Sequence, residues 1–518
     1  MIDVEEEIVA LEKLPYGSLY LCLVKWAQKQ PDAPYIVEAE TGRTFSYAQT
    51  LHAVNALREA LGSTPRSLLL ALPSGITNAV IWLAALSGGH QLIPTSMDAT
   101  NDERARMARR FHADVFFVRQ QEDAQYFAHV HEFSNVPIYT HEQCEELMQS
   151  HAEQRVIEPI EGRVWLTTSG TTGDPKGVQL NERQIAWTAN HVRKNHELTE
   201  HDTGLTVLPF SHVNAPVVSL CSSLLAGCSI VIAPRFSRRA FWSWVERYQI
   251  TWASIVPTIV AILLDTERPA FLPGSLRFMR TGSAPLPAAD LLAFEQRFGV
   301  PVIETYGLSE AASQIVANPL PPQMHKPGSA GRAVGVKLRI CEPRTGADAE
   351  PLKDVKAGET GEVCIAGPNV IDAYQHNAGE ESFQDGWFRT GDLGYLDEDG
   401  YLFIKGRLRE VINRGGENIA PREIEEILLQ YSAVREIAVV GRPDPIYGEV
   451  VVAYLAVRDG VIWNDDLLHD LRQYAGQHMS QRKVPVEFMV LDALPRNGTG
   501  KIARPLLRQR EQARYTKK

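Results

Sequence analysis

The chain reads SLLLALPSGITNAVIWLAALSGGHQLIP from Ser67 to Pro94, and this stretch decides the fold class. A short apolar run ends at Pro-Ser-Gly, an apolar segment of helical length follows over residues 77–86, and a Gly-Gly pair stops it before a second apolar run. A strand, a crossover helix and a second strand form the repeating unit of a parallel sheet. The stretch therefore predicts a βαβ unit in a sheet that is covered on both faces.

The same alternation continues through the first two thirds of the chain. Short buried-strand patterns recur between helical ones at Asp114–Val118, Thr203–Leu208, Ser229–Ala233, Trp252–Val256 and Leu276–Thr281. Strands that alternate with helices are typical of doubly wound α/β sheets. The sequence therefore predicts an α/β protein with a large N-terminal domain of such sheets.

The pattern changes after residue 330, where short strands are separated by Gly-rich turns. Asp397-Glu-Asp-Gly400 lies between two apolar stretches and predicts a hairpin in a small β-barrel-like unit. From Pro421, a helix with proline at its first position, two strands and a helix over Asp465–Met479 predict a small, mobile α+β C-terminal domain. The predicted domains are residues 1–407 and 411–518, with a hinge at 408–410.

Composition excludes two classes of protein. The 518 residues suggest roughly three structural units. A hydrophobic content of 44% with 22% charged residues excludes general disorder. The formal net charge of −11 argues against a nucleic-acid-binding protein, although local loops of an acidic protein can still bind phosphate.

Cysteine usage and the N-terminus indicate a cytoplasmic protein. The six cysteines include no Cys-x-x-Cys pair, so we expect buried free thiols in a reducing compartment. The acidic start at Met1 lacks the basic region of a signal peptide. The longest uncharged run, Val213–Pro234, is too often interrupted for a membrane span.

The first chemical motif is TSGTTGDPKG, from Thr168 to Gly177, after an apolar strand at Arg163–Leu166. Its glycines and hydroxyl residues can wrap N–H and O–H groups around phosphate oxygens. It is not a Walker A loop, because Lys176 precedes Gly177 rather than Ser or Thr. The alternative is an ordinary Gly/Ser-rich surface turn.

Two further motifs follow apolar strands or turns. In Glu304-Thr-Tyr-Gly-Leu-Ser-Glu310, Tyr306 offers an aromatic face for base stacking, and Glu310 offers a hard oxygen ligand for Mg2+. The alternative is that the motif is only a helix N-terminus with acidic residues in its first turn. In Arg389-Thr-Gly-Asp-Leu-Gly394, Asp392 can accept two ribose hydroxyls, unless it only closes a hairpin.

The last motif is Leu494-Pro-Arg-Asn-Gly-Thr-Gly-Lys-Ile502. Lys501 on a Gly-rich turn is a mobile charge that can reach a phosphate or a carboxylate. By itself it is equally a solvated lysine.

Taken in order, these motifs resemble those of the adenylate-forming enzymes: acyl-CoA synthetases, stand-alone adenylation domains and firefly-type luciferases. The resemblance covers nearly the whole chain, from Thr44-Phe-Ser-Tyr47 through Pro209-Phe-Ser-His212 and Arg280-Thr-Gly-Ser-Ala-Pro-Leu286 to Lys501. It implies an ATP-dependent acid–thiol ligase. Such an enzyme forms an acyl-adenylate and pyrophosphate, and then passes the acyl group to a thiol with release of AMP.

The resemblance also implies residue roles. The implied ATP- and AMP-binding residues are Thr168, Ser169, Gly170, Thr171, Thr172, Gly173, Lys176, Ser283, Ala284, Pro285, Glu304, Thr305, Tyr306, Ser309, Asp392 and Arg407. The implied acyl pocket consists of His212, Val213, Asn214, Ser283 and Gly307. Glu310 is the implied Mg2+ ligand, Lys501 bridges the attacking carboxylate and the α-phosphate, and His212 is either a catalytic base or a gating side chain.

In the family the small domain rotates between the half-reactions. Arg409 matches the pivot, where most relatives carry Asp or Lys, and Arg414, Gly415 and Gly416 match a tunnel for the pantetheine thiol. Coenzyme A is therefore the expected acceptor, and a carrier protein with the same arm is the alternative. Nothing demands the bulky aromatic substrate of a luciferase. Intact Lys501 and Asp392 argue against a non-catalytic relative, and dimers are frequent in the family.

The identity of the acid is the most open point. Within the family, the chain most resembles the oxalyl-CoA synthetase branch, which carries histidines where this chain has Asn214 and Ser313. Two candidate donors for a second carboxylate are therefore missing. The sequence favours a short-to-medium aliphatic or aromatic acid, with oxalate or another small dicarboxylate as the alternative.

Overall fold

The computed structural model describes residues 18–150, 156–168, 176–269, 274–343, 351–375, 379–496 and 502–516. The chain divides into two compact units. The first comprises Met1–Leu338 and Ile365–Phe388, and the second comprises Arg339–Cys364 and Arg389–Lys518. The predicted hinge lies within the second unit, and the predicted domain bounds remain a prediction.

The helices of the first unit mostly follow strands. They are α1 Ser18–Lys29, α2 Tyr47–Leu61, α3 Ile76–Ser87, α4 Asn101–Arg110, α5 Gln121–His129, α6 His141–Gln149, α7 Glu182–Asn195, α8 Ser222–Ala226, α9 Phe241–Arg247, α10 Pro257–Leu264 and α11 Ala288–Phe298. Short 3₁₀ turns lie at His131–Phe133, Ser309–Ala311 and Glu380–Ser382, and a π-helix spans Asn214–Cys221.

Two sheets form the frame of this unit. The strands before the antiparallel region are β1 Pro34–Glu38, β2 Thr44–Ser46, β3 Ser67–Ala71, β4 Gln91–Pro94, β5 Val115–Val118, β6 Ile138–Thr140, β7 Arg163–Thr168, β8 Lys176–Asn181, β9 Thr203–Thr206, β10 Ser229–Ile232, β11 Trp252–Ile255, β12 Phe278–Thr281, β13 Val302–Leu308, β14 Ser313–Ala317 and β15 Arg332–Ala333.

The stretch from Ser67 to Pro94 forms the predicted βαβ unit. β3 and β4 pair in parallel with Ser67 opposite Gln91, and they belong to a six-stranded sheet of order β6-β5-β3-β4-β7-β8. Every residue of β3 and of the crossover helix α3 is buried. This explains the continuous apolar run, because a parallel strand under helices has no solvent face.

The second sheet has nine strands in the order β15-β14-β13-β12-β11-β9-β10-β1-β2. The six central strands are parallel to one another, in the order β13, β12, β11, β9, β10 and β1. The carboxyl ends of β9, β11, β12 and β13 therefore lie at one edge of the sheet. Ligands of open α/β sheets bind at such an edge, and the predicted site motifs follow these strands.

The second unit contains two sheets. Its strands are β16 Lys337–Cys341, β17 Gly361–Ala366, β18 Phe383–Gln384, β19 Trp387–Leu396, β20 Leu402–Arg407, β21 Ile412–Arg414, β22 Glu417–Ile419, β23 Val434–Asp444, β24 Gly448–Val457 and β25 Glu487–Val490, although β18 and the ends of β16, β17 and β19 fall in the first unit. The orders are β16-β17-β19-β18 with β20 on β19, and β22-β21-β24-β23 with β25 on β24. Its helices are α12 Pro421–Leu428, α13 Asp465–His478 and α14 Arg504–Thr516, with a 3₁₀ turn at Leu408–Glu410.

The predicted fold class is confirmed, and the elements differ mainly in their bounds. The hairpin around Asp397–Gly400 forms between β19 and β20. Strand β13 runs through Tyr306 to Leu308 and a short 3₁₀ turn follows at Ser309–Ala311, so the motif at 304–310 does not open an α-helix. The run after Val213 begins as a π-helix, which sequence periodicity did not predict.

The cysteines are free thiols, as predicted. Five are buried and Cys22 is half-buried. Burial raises the pKa of the Cys144 thiol to about 12, which keeps it protonated and unreactive at neutral pH. Within the described ranges, no helix combines the length and apolar character needed to cross a membrane.

Candidate active site

Three loops converge at the carboxyl edge of the nine-stranded sheet. Residues 207–214 follow β9, residues 282–287 follow β12, and Ser309–Ala311 follows β13. Ser74, in the loop after β3 of the six-stranded sheet, accepts a hydrogen bond from the Phe210 N–H at 3.0 Å. This hydrogen bond fixes the loop after β9. The sequence Leu-Pro-Ser that contains Ser74 gave no reason to predict the bond.

The loop after β12 carries three exposed residues that the sequence assigns to ATP: Ser283, Ala284 and Pro285. Ser283 has a φ of +72°, a left-handed conformation that is uncommon for serine. Such strain is retained where the surroundings determine the backbone, and it clusters at binding sites. Asn214 donates to the Ser283 Oγ at 3.1 Å, so two predicted pocket residues are in contact.

The end of β13 brings the backbone of β14 unusually close. A Cβ on Gly307 would lie 1.8 Å from the Ser313 carbonyl oxygen, so only glycine fits there. Tyr306, just before it, is half-buried, and Gly307 is exposed. Thr305 donates to the Thr281 carbonyl at 2.9 Å, which ties β13 to the start of the loop after β12.

Glu310 belongs to a small cluster that the motif alone did not reveal. The Tyr374 hydroxyl donates to Glu310 Oε1 at 2.7 Å. The Lys176 ammonium lies 4.8 Å from the centre of the Tyr374 ring and 3.7 Å from Glu381 Oε1. A tyrosine therefore connects the predicted phosphate-binding lysine with the predicted metal ligand.

No spacing rule pointed to Tyr374, because it lies 64 positions after Glu310 in sequence. Its hydroxyl occupies one carboxylate oxygen of Glu310. In the described part of the chain, no three His, Cys, Asp or Glu side chains form a ready-made metal cluster. Glu310 thus fits Mg2+ as a single carboxylate ligand, the arrangement in which substrate phosphates and water complete the shell.

Arg280 forms the centre of a polar network behind the exposed loop. It is fully buried, and its guanidinium donates to Asn214 Oδ1 at 2.7 Å, Ser254 Oγ at 3.3 Å and Gln314 Oε1 at 3.3 Å. All three acceptors are neutral. Burial lowers the pKa of Arg280 to about 9, so it stays charged at neutral pH.

The other predicted pocket residues lie on the same loops. His212 is half-buried on a turn, where its N–H donates to the Pro209 carbonyl at 3.3 Å. Val213 is buried. Glu304 is also buried, and its carboxylate accepts the Gly328 N–H at 2.8 Å. The proposed base and nucleotide roles of His212 and Glu304 stay predictions.

In the second unit, Asp392 and Arg407 are paired across β19 and β20. The Arg407 Nε lies 2.9 Å from Asp392 Oδ1, and the Asp392 side chain is buried while that of Arg407 is about half exposed. Glu362 holds the strand before Asp392 by accepting from the Gly391 N–H at 3.1 Å and by forming a buried ion pair with Arg389. Asp392 therefore lies within β19 and does not close the hairpin, whose turn is at Asp397–Gly400.

The predicted pivot is tied to the last helix. Arg508 of α14 donates to the Arg409 carbonyl at 2.7 Å, and Arg504 lies 3.9 Å from Glu410 and 2.6 Å from Glu425. Helix α14 begins three residues after Lys501. The helix that follows the predicted catalytic lysine in sequence therefore contacts the predicted hinge.

Arg414, Gly415 and Gly416 form the tight turn of the β21–β22 hairpin. Gly415 and Gly416 have φ values of +61° and +87°, as two-residue hairpin turns require. The Arg414 guanidinium lies 5.4 Å from the centre of the Tyr447 ring. No atom in the described ranges lies within 4 Å of a Cβ added to Gly416, so backbone conformation explains the glycine within this unit.

Several predicted residues lie outside the described residues: Ser169, Gly170, Thr171, Thr172, Gly173 and Lys501, together with the side chain of Thr168. Their roles stay predictions. Ser309 is described, half-buried at the start of the 3₁₀ turn that contains Glu310.

Comparison with known proteins identifies the family. The family described as AMP-binding enzyme matches residues 23–375, and the AMP-binding enzyme C-terminal domain matches residues 423–501. The chain belongs to the AMP-binding enzyme family.

Three relatives illustrate the family. The sulfoacetate–CoA ligase of Cupriavidus necator is 35% identical over 505 residues, 94% of this chain and 97% of that enzyme. The oxalate–CoA ligase of Arabidopsis thaliana is 39% identical over 365 residues, 69% of each chain. The o-succinylbenzoate CoA synthetase of Bacillus subtilis, solved with its acyl-adenylate intermediate, has a TM-score of 0.80 at 29% identity and covers 94% and 97% of the two chains.

The same Bacillus subtilis enzyme has been solved with ATP and magnesium, with a TM-score of 0.79 at 29% identity over 95% of this chain and 98% of that one. The predicted resemblance to the adenylate-forming enzymes is thereby confirmed. The protein is an AMP-forming acid–thiol ligase that uses ATP, Mg2+ and coenzyme A with a carboxylic acid. The acid, the residue roles and a homodimer are not determined by these matches.

Proposed function

We propose that the adenylation centre of this ligase lies at the carboxyl edge of the nine-stranded sheet. Tyr306 stacks on the adenine, Ser283 to Pro285 flank the nucleotide and the acyl group, and Glu310 holds Mg2+. Lys176 contributes a cation to the phosphates beside the loop at residues 169–173. Positioning and charge neutralisation then do most of the catalytic work, as in other phosphoryl and nucleotidyl transfers.

The first half-reaction is an in-line displacement. A carboxylate oxygen of the acid attacks the α-phosphorus of ATP, the bond to the β-phosphate oxygen breaks, and pyrophosphate leaves. When bound, Mg2+ would neutralise phosphate charge during this step. Lys501 is the cation that we assign to the meeting of the two anions, because their repulsion is the main barrier there.

The second half-reaction is thioester formation. The thiol sulfur attacks the acyl carbon, AMP departs with one of the former carboxylate oxygens, and the thiol proton passes to solvent. We assign the hairpin turn at Arg414, Gly415 and Gly416 to the pantetheine tunnel and Arg409 to the pivot between the two steps. The contacts of helix α14 with Arg409 and Glu410 support this, because that helix follows the predicted catalytic lysine directly in sequence.

The observation that carries the proposal is the cluster of Lys176, Tyr374 and Glu310. Tyr374 contacts both a cation for phosphate, Lys176, and a carboxylate for a divalent metal, Glu310, and Tyr306 lies four residues before Glu310 at the end of β13. A mere surface turn would not place these groups together. The pairing of Asp392 with Arg407 supports a ribose site in the second unit.

Coenzyme A is the acceptor, and a carrier protein with the same phosphopantetheine arm stays the alternative from sequence that the test below compares with it. We propose the cytoplasm as the compartment, because the six cysteines are free thiols, as is usual in a reducing environment.

The test is AMP release from ATP across a panel of carboxylic acids, each with and without coenzyme A. We expect acid-dependent AMP release that rises strongly with coenzyme A, and an acyl-CoA product detected by mass. Acid-dependent adenylation that ignores coenzyme A would replace the acceptor by a carrier protein. ATP binding without AMP release for any acid would contradict the proposal.

A further inference from the structure

Arg280 is a buried cation without a buried anion. Its side chain is 2% exposed, and its hydrogen-bond partners are an amide, a hydroxyl and another amide. Throughout the described ranges, no Asp or Glu forms an ion pair with it. Buried charges are normally paired, because leaving water costs several kcal/mol per ion.

The neighbouring titratable groups do not neutralise it. His196 is buried nearby, and burial together with the charge of Arg280 lowers its pKa to about 3, so it stays neutral. The Arg277 guanidinium is matched by Asp202 at 2.9 Å. Glu304 aligns with Thr281 on the neighbouring strand, one residue beyond Arg280, and therefore points to the opposite face of the sheet.

A second unsatisfied donor belongs to the same network. The Gln314 side chain is 1% exposed, and its amide nitrogen has no hydrogen-bond partner in the described residues while its oxygen accepts from Arg280. Buried amide donors are normally satisfied, and an orphaned one marks an unmade contact. Arg280 and Gln314 thus offer a positive charge and a free N–H, but no acceptor.

Arg280 also fixes the direction of Asn214. Because the Asn214 oxygen accepts from Arg280 at 2.7 Å, its amide nitrogen must face the other way, toward Ser283 at 3.1 Å. An asparagine amide carries two N–H donors, and Ser283 uses one of them. The hydrogen-bonded series Arg280–Asn214–Ser283 therefore leads from a buried charge to the exposed loop. It orients the N–H donors of Asn214 toward the acid.

We propose that the Arg280–Asn214–Gln314 network selects carboxylic acids that carry a second anionic group, a carboxylate or a sulfonate, on a short spacer. The second anion is the missing counter-charge of Arg280, and it reaches the network through the Asn214 and Gln314 N–H donors. Arg280 is a specificity-determining residue in this scheme. The inference rests on the proposed adenylation centre and names the class of acid that the centre takes.

The spacer is short because the network is close to the nucleotide loop. One asparagine side chain, with a hydrogen bond at each end, separates Arg280 from Ser283. A long or bulky acid would extend past this position. This proposal favours the small dicarboxylate, which was the alternative from sequence, and adds a sulfonate to it; the short-to-medium aliphatic or aromatic acid is the outcome that the tests below set against it.

The first test compares acids of equal size that differ in one charge. Wild-type enzyme is assayed by acid-dependent ATP–pyrophosphate exchange with sulfoacetate against methylsulfonylacetate, and with malonate against monomethyl malonate. We expect kcat/KM at least about 30-fold higher for each doubly charged acid, the lower bound for pairing a buried charge. An equal or higher kcat/KM for the singly charged acid of each pair, with robust exchange, would overturn the inference and leave the adenylation proposal intact.

The second test uses Arg280→Met and Asn214→Asp. A purely structural arginine would affect both acids of a pair equally, whereas a specificity role lowers the ratio between them by at least about 30-fold. Asn214→Asp keeps the shape and supplies the counter-charge internally, so it should also raise Tm. Arg277→Met is the matched control, since that arginine is already paired with Asp202 and its loss should leave the ratio unchanged.

The outcomes separate the two proposals. A lowered ratio in both variants, with a higher Tm for Asn214→Asp, supports the network. An unchanged ratio in Asn214→Asp, or a lower Tm, overturns it even where Arg280→Met fails to fold. If neither the singly nor the doubly charged acids support ATP–pyrophosphate exchange, the adenylation proposal is overturned, and the inference falls with it.

Discussion

Replacing Tyr374 by phenylalanine removes one hydroxyl and leaves the ring in place. The hydroxyl donates to Glu310 Oε1 at 2.7 Å, while the ring packs 5.9 Å from Phe383 and 4.8 Å from the Lys176 ammonium. The change therefore releases the Glu310 carboxylate without opening a cavity. Glu310 becomes free to rotate, and Mg2+ must order it again on binding.

The size of the effect follows from the bond that is lost. A hydrogen bond to a charged group contributes about 1.5–3 kcal/mol, and the partly exposed position of Glu310 places it near the lower end. About 1.5 kcal/mol corresponds to a tenfold change in an equilibrium constant. We expect the Mg2+ concentration for half-maximal adenylation to rise roughly tenfold in Tyr374→Phe, with little change in Tm.

The assay is acid-dependent ATP–pyrophosphate exchange over a Mg2+ titration. Tyr395→Phe is the matched control, because that tyrosine also packs against a phenylalanine, Phe403 at 5.0 Å between ring centres, and also lies near a lysine, with the Lys405 ammonium 5.3 Å from its ring centre. Its substitution should leave the Mg2+ requirement unchanged. A Tyr374→Phe enzyme with unaltered or lower Mg2+ requirement would refute the positioning of Glu310 by this hydroxyl.

Four further predictions concern the rest of the fold and site. Gly307→Ala would place a Cβ 1.8 Å from the Ser313 carbonyl, so we expect about 3 kcal/mol or more of lost stability in urea unfolding. The Cβ of Gly416→Ala has no described atom within 4 Å, but the substitution forces alanine into a left-handed conformation. It should slow thioester formation and leave pyrophosphate exchange unchanged. Equal loss of both activities would contradict the assignment of this turn to the pantetheine tunnel. The pKa of His196 falls from 6.5 to about 3 on folding, so at mildly acidic pH the unfolded chain binds a proton that the folded chain does not. The free energy of unfolding of the wild type should therefore drop by roughly 2–3 kcal/mol between pH 6.5 and 4.5. The drop should be smaller in His196→Phe. Lys501→Ala should lose adenylation by several orders of magnitude yet still convert supplied acyl-adenylate, as single-turnover assays would reveal.

Elements that are buried on both sides were predicted well from the sequence. Strand β10 at Ser229–Ile232 and strand β11 at Trp252–Ile255 each begin at the predicted residue and end one residue before the predicted end. Continuous apolar runs between Gly or Pro residues leave little choice of register or length. The π-helix at Asn214–Cys221 was missed, because an extra residue per turn leaves no periodic signal in an apolar stretch.

The candidate site was predictable where a motif is local. Glu310 and Asp392 were assigned from their immediate neighbours and Gly416 from the family resemblance, and their roles stay predictions. Tyr374 and Gln314 were not, because each acquires its meaning from a side chain that the fold brings to it. Arg280 lies within a quoted motif, yet its charge imbalance is visible only when its neutral partners are known.

The central claim is that a carboxylate of the acid attacks the α-phosphate of ATP. It is tested most directly by supplying a doubly charged short acid, such as malonate or sulfoacetate, labelled with ¹⁸O in its carboxylate, together with ATP, Mg2+ and coenzyme A. The account predicts that each AMP released carries one ¹⁸O and that an acyl-CoA accumulates with it. Unlabelled AMP, or ADP and phosphate in its place, would contradict the account.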